Sequence, residues 1–339
     1  MTSADRAAIE RLPKIDLHRH LEGSLRLTTL AEIAARYRLD LPREAQTLRP
    51  LVQMTPSDPH TPRAFLDKFN VLRRFYLSPG IIRRLAFEAV EDAARDGVRY
   101  LELRFTPAAL ARTQGFSLRD VMSWVSAGAE DARRQYPEIE LTLIASVNRH
   151  EPIELAEQVV ALAADRQREI AAIDLAGDEA NYPAEPFAGL FAEARRSGLG
   201  VTAHAGEWSG AMSVRHAIER LGVRRIGHGV RVIDDPTVAA LAREHDVVFE
   251  VSLTSNLDTG VATGLTLHPL PHMLAAGLRV TLNTDDPGIS NCTLTSELGQ
   301  ALLLPGVTEE TLHGMALEAV QAAFQPDVAR HAMGMLEPA

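Results

Sequence analysis

Short β-rich runs alternate with stretches of helical character along this chain of 339 residues, and the alternation predicts an α/β fold of the (β/α)8, TIM-type barrel class. Two further observations favour a closed barrel over an open doubly wound sheet. The runs number eight, and polar residues gather at their C-terminal ends, where the active site of such barrels lies. No linker rich in serine, glycine or proline divides the chain, so we expect one domain over residues 1–339.

The predicted strands are short and are bounded by polar residues or glycine. They are Ile15 to His20, Tyr100 to Thr106, Leu141 to Val147, Ile170 to Gly177, Val201 to Gly206, Arg225 to Val230, Val247 to Thr254 and Arg279 to Thr284. Between most of the strands lie segments with Ala, Leu, Glu and Arg at helical spacing, namely Ser117 to Gln135, Ile153 to Ala164, Pro186 to Ser197 and Ser213 to Leu221. Such βαβ units predict a parallel sheet.

The stretch between the first two strands, residues 21–99, is too long for a single crossover helix. We expect a helical insertion over the first βα loop, placed to act as a lid. Its segment Thr61 to Tyr76 carries Phe65, Phe69 and Leu72 on one helix face. That apolar face is equally typical of a core helix packed on the barrel, and both interpretations stay open.

Composition excludes several partners. Lys and Arg number 35 against 45 Asp and Glu, a formal net charge of −10, and no basic cluster offers a face for nucleic acid or an anionic membrane. No apolar run approaches the roughly 18 residues of a membrane span. Charged residues stand where a secretory signal has its apolar core, and the lone Cys292 forms no intrachain disulfide. We expect a cytoplasmic protein.

Histidines at the ends of the predicted strands indicate a metal site. His18 and His20 are two residues apart, and on a strand such residues share a face. Taken alone, this pair is weak evidence for ligation. His204, His228 and Asp285 follow strands five, six and eight, and the five side chains together are improbable as a coincidence.

Histidine with carboxylate ligands suits Zn²⁺ or another borderline divalent ion. A structural zinc site usually brings cysteines, which this chain lacks apart from Cys292. A two-metal hydrolase on this barrel commonly bridges its ions with a carboxylated lysine after strand four, and residues 170–181 contain no lysine. The sequence therefore favours one metal ion per chain.

Five segments, spread over nearly the whole chain, carry a resemblance to a known family. They are Pro13 to Gly23 (PKIDLHRHLEG), Ile173 to Glu179 (IDLAGDE), Thr202 to Glu207 (TAHAGE), Ile226 to Val230 (IGHGV) and Asn283 to Pro287 (NTDDP). In this order they resemble the adenosine deaminases of the metal-dependent amidohydrolase superfamily. The resemblance implies a barrel with one zinc held by His18, His20, His204 and Asp285, and hydrolysis of a purine 6-amino group to inosine and ammonia.

The same resemblance implies the catalytic roles. Zinc lowers the pKa of its bound water towards about 7. Asp285 and His228 would orient the resulting hydroxide and take up its proton. Glu207 would give a proton to purine N1, an acid role that typically contributes 10² to 10⁴-fold in rate. The alternative for Glu207 is an ordinary solvated surface side chain.

Four positions would contact the substrate, a small purine nucleoside. The backbone N–H of Gly177 would donate to purine N3, and Asp286 would pair with N7, although Asp-Asp-Pro is also typical of a turn. His20 is a substrate contact as well as a ligand. Glu22 stands where many adenosine deaminases have an aspartate that contacts the ribose 5′-hydroxyl.

Glu22 leaves other 6-aminopurines open, namely adenine and a 5′-extended nucleoside such as 6-amino-6-deoxyfutalosine. Against adenine, residues 175–179 have the nucleoside deaminase form rather than the serine-containing form associated with adenine deaminases. Two other classes remain as rivals: a different metal hydrolase on the same barrel, and a non-catalytic binding protein. Such a binding protein is expected to have lost ligands or the acid, and all are present here. The sequence does not predict the oligomeric state.

Overall fold

The computed structural model describes residue 9 and residues 13–335. The charged N-terminal residues Asp5, Arg6, Glu10 and Arg11 lie outside this part. Eight parallel strands form one sheet in sequence order. They are β1 Lys14–His20, β2 Val98–Phe105, β3 Glu140–Asn148, β4 Ile170–Ala176, β5 Gly200–Ala205, β6 Arg225–His228, β7 Val248–Val251 and β8 Arg279–Leu282. Each predicted strand overlaps an observed one.

The sheet closes on itself just beyond β8. Arg19 and Asp285 form a parallel bridge between the first and last strands. The N–H of Asp285 donates to the carbonyl of His18 at 2.7 Å, and the N–H of His20 donates to the carbonyl of Asp285 at 2.8 Å. The (β/α)8 barrel predicted from the sequence is therefore confirmed.

Sixteen α-helices surround or cap the sheet in the described part of the chain. They are α1 Leu27–Arg36, α2 Ala45–Val52, α3 Pro62–Leu72, α4 Pro79–Arg95, α5 Pro107–Arg112, α6 Leu118–Gln135, α7 Ile153–Ala164, α8 Ala188–Arg196, α9 Ala211–His216, α10 Pro236–Glu244, α11 Leu253–Asp258, α12 Leu270–Ala275, α13 Pro287–Ser290, α14 Leu294–Ala301, α15 Glu309–Ala322 and α16 Pro326–Ala332. The apolar core lies between these helices and the strands. None of the helices is long and apolar enough to cross a membrane.

Four helices, α1 to α4, lie between β1 and β2, in the stretch where the insertion over residues 21–99 is predicted. Helix α4 packs on α6 and β2 as the barrel's own crossover helix, and β2 already begins at Val98, so the additional helices are α1 to α3. Helix α3 begins where the side chain of Thr61 caps it by accepting from the N–H of Ala64. Phe65 and Leu72 on its apolar face are buried.

Three charged side chains form a buried ion layer inside the barrel: Glu102 on β2, Arg225 on β6 and Glu250 on β7. Arg225 donates to Glu102 at 2.7 Å and to Glu250 at 2.6 Å. Glu250 also accepts from Arg104 at 2.8 Å. A buried charge is tolerated when it has a close partner of opposite charge or a hydrogen-bond donor. Every carboxylate oxygen of Glu102 and Glu250 accepts such a hydrogen bond. Glu250 also contacts His18, so the layer supports one of the predicted metal ligands.

Candidate active site

The predicted metal ligands converge at the C-terminal end of the barrel. His18 and His20 end β1, His204 lies on β5, and Asp285 follows β8. The histidine rings stand 4.7 to 5.3 Å apart, centroid to centroid. Asp285 has a φ of +61°, a left-handed conformation that is uncommon for residues other than glycine and is often found at functional sites.

We call these four side chains the metal cluster, because His18, His20 and His204 form a group that could hold a metal ion and Asp285 adjoins it. Nε2 of His18 and of His204 and Oδ1 of Asp285 are buried without a hydrogen-bond partner among the described residues. Asp285 Oδ1 lies 3.2 Å from His18 Nε2 and 3.4 Å from His20 Nε2, separations expected of atoms that share one ion at about 2 Å. Burial lowers the pKa of His20 well below its usual value. Burial also acts to lower the pKa of His204, but Asp174 and Glu207 raise it to about 10, so the carboxylates around the cluster favour a positive charge there.

Two hydrogen bonds orient the ligands. His18 Nδ1 lies 2.8 Å from Glu250 Oε2, and because a carboxylate accepts, Nδ1 carries the hydrogen and Nε2 keeps its lone pair for a metal. The hydroxyl of Ser255 donates to Asp285 Oδ2 at 2.6 Å, which leaves Oδ1 facing the histidines. Carboxylate or hydroxyl partners of this kind are typical of metal ligands.

Glu207 lies just after β5, beside the metal cluster. Its Oε2 is 3.4 Å from His204 Nδ1 and 3.7 Å from His228 Nε2. Burial raises the pKa of Glu207 to about 7; Asp285 and Glu179 add to this rise, and His204 opposes it. A carboxyl with this pKa can hold a proton near neutral pH and release it in a reaction.

Glu179 fixes the turn that carries Glu207. Its Oε2 accepts from the backbone N–H groups of Glu207, Trp208 and Ser209 at 3.0, 2.7 and 3.1 Å. Its Oε1 accepts from the N–H of Gly206 and the hydroxyl of Ser213, both at 2.5 Å. One buried carboxylate thus holds four successive amides. Sequence analysis quoted this residue in a motif and gave it no role.

His228 lies beside the metal cluster, at the end of β6. Its Nε2 lies 3.7 Å from Asp285 Oδ2, and its φ of +59° is again left-handed. On the other side of the ring, Nδ1 contacts the side-chain amide of Asn256 at 3.2 Å. The pair Ser255-Asn256 also resembles the family, but the sequence indicated no role for Asn256, which lies in α11.

A cavity of about 330 Å³ opens over the cluster, within the size range of small-molecule sites. Phe65 and Phe69 of α3 line it, so the apolar face of that helix forms a cavity wall. Gly177 also lines it, with a φ of +92°, and a Cβ there would come within 2.7 Å of His150 Nδ1. The glycine is needed for both its conformation and its space.

Two carboxyl groups face this cavity. Glu22 Oε1 accepts from the N–H of Thr106 at 2.6 Å, while its Oε2 is buried without a partner in the described chain. Asp286 Oδ1 is likewise buried and unpartnered there. Burial raises the pKa of Asp286 well above its usual value, and the nearby charges of Asp285 and Glu22 add to the rise.

All the predicted site residues thus come together. The cavity is lined by His20, Glu22, Gly177, His204, Glu207, His228, Asp285 and Asp286, and His18 lies in the metal cluster beneath it. Sequence analysis missed Arg73, whose guanidinium lines the cavity and makes no hydrogen bond or ion pair with any described residue. An arginine in a helical segment far from the motifs gives no signal of its own.

Comparison with known proteins agrees with this arrangement. The family model described as adenosine deaminase matches residues 13–335. An adenosine deaminase of Edwardsiella ictaluri is 39% identical over 316 residues, which cover 93% of this chain and 94% of that protein.

Two solved structures share the fold and nearly the full length. An amidohydrolase from Burkholderia ambifaria with bound zinc has a TM-score of 0.89 at 29% identity, covering 99% of this chain and 93% of its own. The adenine deaminase of Arthrobacter aurescens has a TM-score of 0.86 at 26% identity, covering 96% and 98%.

Proposed function

This chain belongs to the adenosine deaminase family and is a hydrolytic deaminase, and we propose that it converts adenosine and 2′-deoxyadenosine to inosine and 2′-deoxyinosine with release of ammonia. The observation that carries the proposal is the buried carboxyl of Glu207, with a pKa of about 7, beside the metal cluster. A metal site alone fits many hydrolases, whereas a proton donor next to it fits attack on a purine ring.

We further propose that zinc is held by Nε2 of His18, His20 and His204 and by Asp285. The unpartnered nitrogens and oxygen of the cluster support this assignment, as does the zinc in the Burkholderia relative. When bound, zinc lowers the pKa of a water towards about 7 and so supplies the nucleophile.

The protein's own residues would act on the two reacting partners. Asp285 and His228 orient the attacking water at C6 of the purine. Glu207 gives its proton to N1 as the new C6–O bond forms, which relieves the negative charge that would otherwise build on the ring. General acid catalysis of this kind contributes typically 10² to 10⁴-fold. The proton lost by the attacking water then passes to the amino group, which leaves C6 as ammonia, and the proton of the new C6 hydroxyl returns to the protein as the carbonyl forms.

The purine edge would be recognised by Gly177 and Asp286. The positive φ of Gly177 and the absence of a side chain let its backbone N–H approach N3. N7 accepts hydrogen bonds and never donates them, so its partner needs a hydrogen. Burial raises the pKa of Asp286 well above its usual value, and this direction favours the protonated carboxyl, which can donate to N7.

Glu22 would hold the ribose. Its unpartnered Oε2 faces the cavity and can accept from the 5′-hydroxyl, while the N–H of Thr106 anchors Oε1. A site built around a hydroxyl rejects an analogue that lacks it, because a buried polar group is then left unpaired. This contact favours adenosine over free adenine.

One observation favours a second candidate. Arg73 lines the same cavity with a guanidinium unpaired among the described residues, and its charge lowers the pKa of Glu22 against the rise caused by burial. An anionic group on the 5′ carbon would pair with Arg73. A 5′-extended nucleoside such as 6-amino-6-deoxyfutalosine is therefore the alternative substrate, and adenine is the other 6-aminopurine left open by Glu22.

A substrate panel on purified protein tests the proposal. We expect about one zinc per chain, loss of deamination on chelation and recovery with zinc. Adenosine and 2′-deoxyadenosine should be the best substrates, 5′-deoxyadenosine about ten- to a hundredfold poorer in kcat/KM, and adenine poorer still. Glu22→Ala should narrow the gap between adenosine and 5′-deoxyadenosine.

Other outcomes point elsewhere. Activity confined to a 5′-extended, anionic nucleoside, and lost in Arg73→Met, would replace adenosine by the second candidate. Adenine as the best substrate would remove the role of Glu22 in holding the sugar. Two metals per chain, or full activity of the metal-free protein, would contradict the zinc site.

A further inference from the structure

Behind His228, away from the cavity, three side-chain and backbone groups form an unbroken chain of hydrogen bonds. The N–H of Leu270 contacts His268 Nδ1 at 3.0 Å, His268 Nε2 contacts Asn256 Oδ1 at 3.1 Å, and Asn256 Nδ2 contacts His228 Nδ1 at 3.2 Å. The side chains of His268, Asn256 and His228 are each at most 2% exposed. Neither His268 nor Asn256 lines the cavity.

The direction of every bond in this chain follows from its first member. A backbone N–H can only donate, so His268 Nδ1 must accept and its hydrogen sits on Nε2. That hydrogen requires the oxygen of Asn256 on its side, which turns the amide NH₂ towards His228. Nδ1 of His228 then accepts, and the hydrogen of the neutral ring lies on Nε2. Burial lowers the pKa of His268 to about 4, which agrees with a neutral ring.

We propose that Leu270, His268 and Asn256 act as a tautomer relay, which fixes the hydrogen of His228 on Nε2 so that this residue faces the reacting atoms as a hydrogen-bond donor. The inference rests on the deaminase function proposed above. His228 Nε2 points at the space between Asp285 Oδ2 and Glu207 Oε2, 3.7 Å from each. Asn256 and His268 are positioning residues, since neither touches the substrate.

The relay gives His228 and Asp285 separate roles, whereas the sequence indicated that both orient the attacking water and take up its proton. A nitrogen that already carries a hydrogen cannot accept another from the attacking water. The water's proton therefore passes to the carboxylate of Asp285. A lone pair on the water oxygen forms the bond to C6, and N1 receives the proton of Glu207. His228 holds the water's oxygen by donating to it.

Long-range ¹H–¹⁵N NMR of the zinc-loaded protein, with ¹⁵N-labelled histidine, reads the tautomer directly. The chain has 12 histidines, and comparison with His228→Asn identifies the signals of His228. We expect hydrogen on Nε2 in the wild type and mixed tautomers in Asn256→Leu and His268→Phe. Hydrogen on Nδ1 of wild-type His228 would overturn the proposal. This readout needs no turnover, so it stands even if adenosine proves not to be the substrate.

Kinetics give the second readout. His268→Phe and Asn256→Leu should each lower kcat by about five- to thirtyfold, the effect of one buried hydrogen bond, with KM and zinc content nearly unchanged. Because both residues act through one chain, the double variant should lose no more than Asn256→Leu alone. Effects that multiply, or an unchanged kcat, would contradict the relay.

Thr259→Val is the matched control. Its hydroxyl donates a buried hydrogen bond to the carbonyl of Ser255 at 2.8 Å, in the same segment as Asn256 and outside the relay. The substitution removes a comparable bond, so the tautomer of His228 and kcat should both stay as in the wild type. A loss in this control equal to that of His268→Phe would mean that general loosening of the segment causes the effect.

Discussion

The ion layer and the metal cluster are two groups of buried charges in the same barrel. They differ in whether their polar atoms have hydrogen-bond partners. In the ion layer, every oxygen of Glu102 and Glu250 accepts a hydrogen bond. In the metal cluster, Nε2 of His18 and Oδ1 of Asp285 have no such partner within the described chain.

His18 belongs to both groups, which makes the comparison direct. Its Nδ1 is paired with Glu250, and its Nε2, on the other side of the same ring, is not paired. Burial of charge therefore does not distinguish a structural group from a binding site in this protein. Between the carboxylates of the ion layer and the atoms of the metal cluster, the difference is the missing partners, which are costly unless a ligand completes them.

The largest effect we expect comes from breaking the ion layer. Arg225→Met leaves Glu102 without its charged partner and removes one of those of Glu250, and removing one member of a buried ion pair costs about 3 to 5 kcal/mol. The free energy of unfolding, measured in urea at constant zinc, should fall by that amount. Arg330→Met, which breaks an exposed pair with Asp327, is the control and should change it by less than about 0.5 kcal/mol. Equal effects would mean that the layer is not a stabilising unit.

A change beside the metal cluster should instead lower the rate of the reaction and leave the fold intact. Glu207→Gln keeps the size of the side chain but cannot deliver a proton to N1, so kcat should fall by about 10² or more with zinc still bound. An unchanged kcat would exclude Glu207 as the acid.

The pH profile tests the same residue in the wild type. The acid acts in its protonated form, so kcat/KM should be retained below pH 7 and decline as pH rises through about 7, the pKa of the free enzyme's Glu207. A profile flat from pH 6 to 9 would contradict this assignment.

The smallest effect concerns Glu179, which resembles the ion layer in being fully paired but acts on the site. Glu179→Gln keeps one acceptor oxygen and places an NH₂ group against the N–H of Gly206, so the turn of Glu207 should shift and kcat/KM should fall about tenfold. Loss of the negative charge should also lower the pKa of Glu207 and move the alkaline decline to lower pH. A fall in stability without any change in the pH profile would assign Glu179 a structural role only.

The sequence predicted the barrel and the residues at its mouth because both depend on local patterns. Strand-end positions follow from the apolar runs, and the side chains of His18 and His20 follow from the two-residue period of a strand. The supports of the site were not predictable in this way. Glu250 meets His18 across 232 positions of sequence, and the contacts of His268 with Asn256 depend on how two loops pack.

The backbone seam between the first and last strands also brings the predicted metal ligands together. Asp285 pairs with the chain at His18 and His20 through its own N–H and carbonyl, and the side chains of the same three residues point into the metal cluster. A nascent chain still short of Asp285 has neither a closed sheet nor a full ligand set. A metal ion held by the proposed ligands would therefore connect the two ends of the sheet, and closure of the sheet would complete its ligand set.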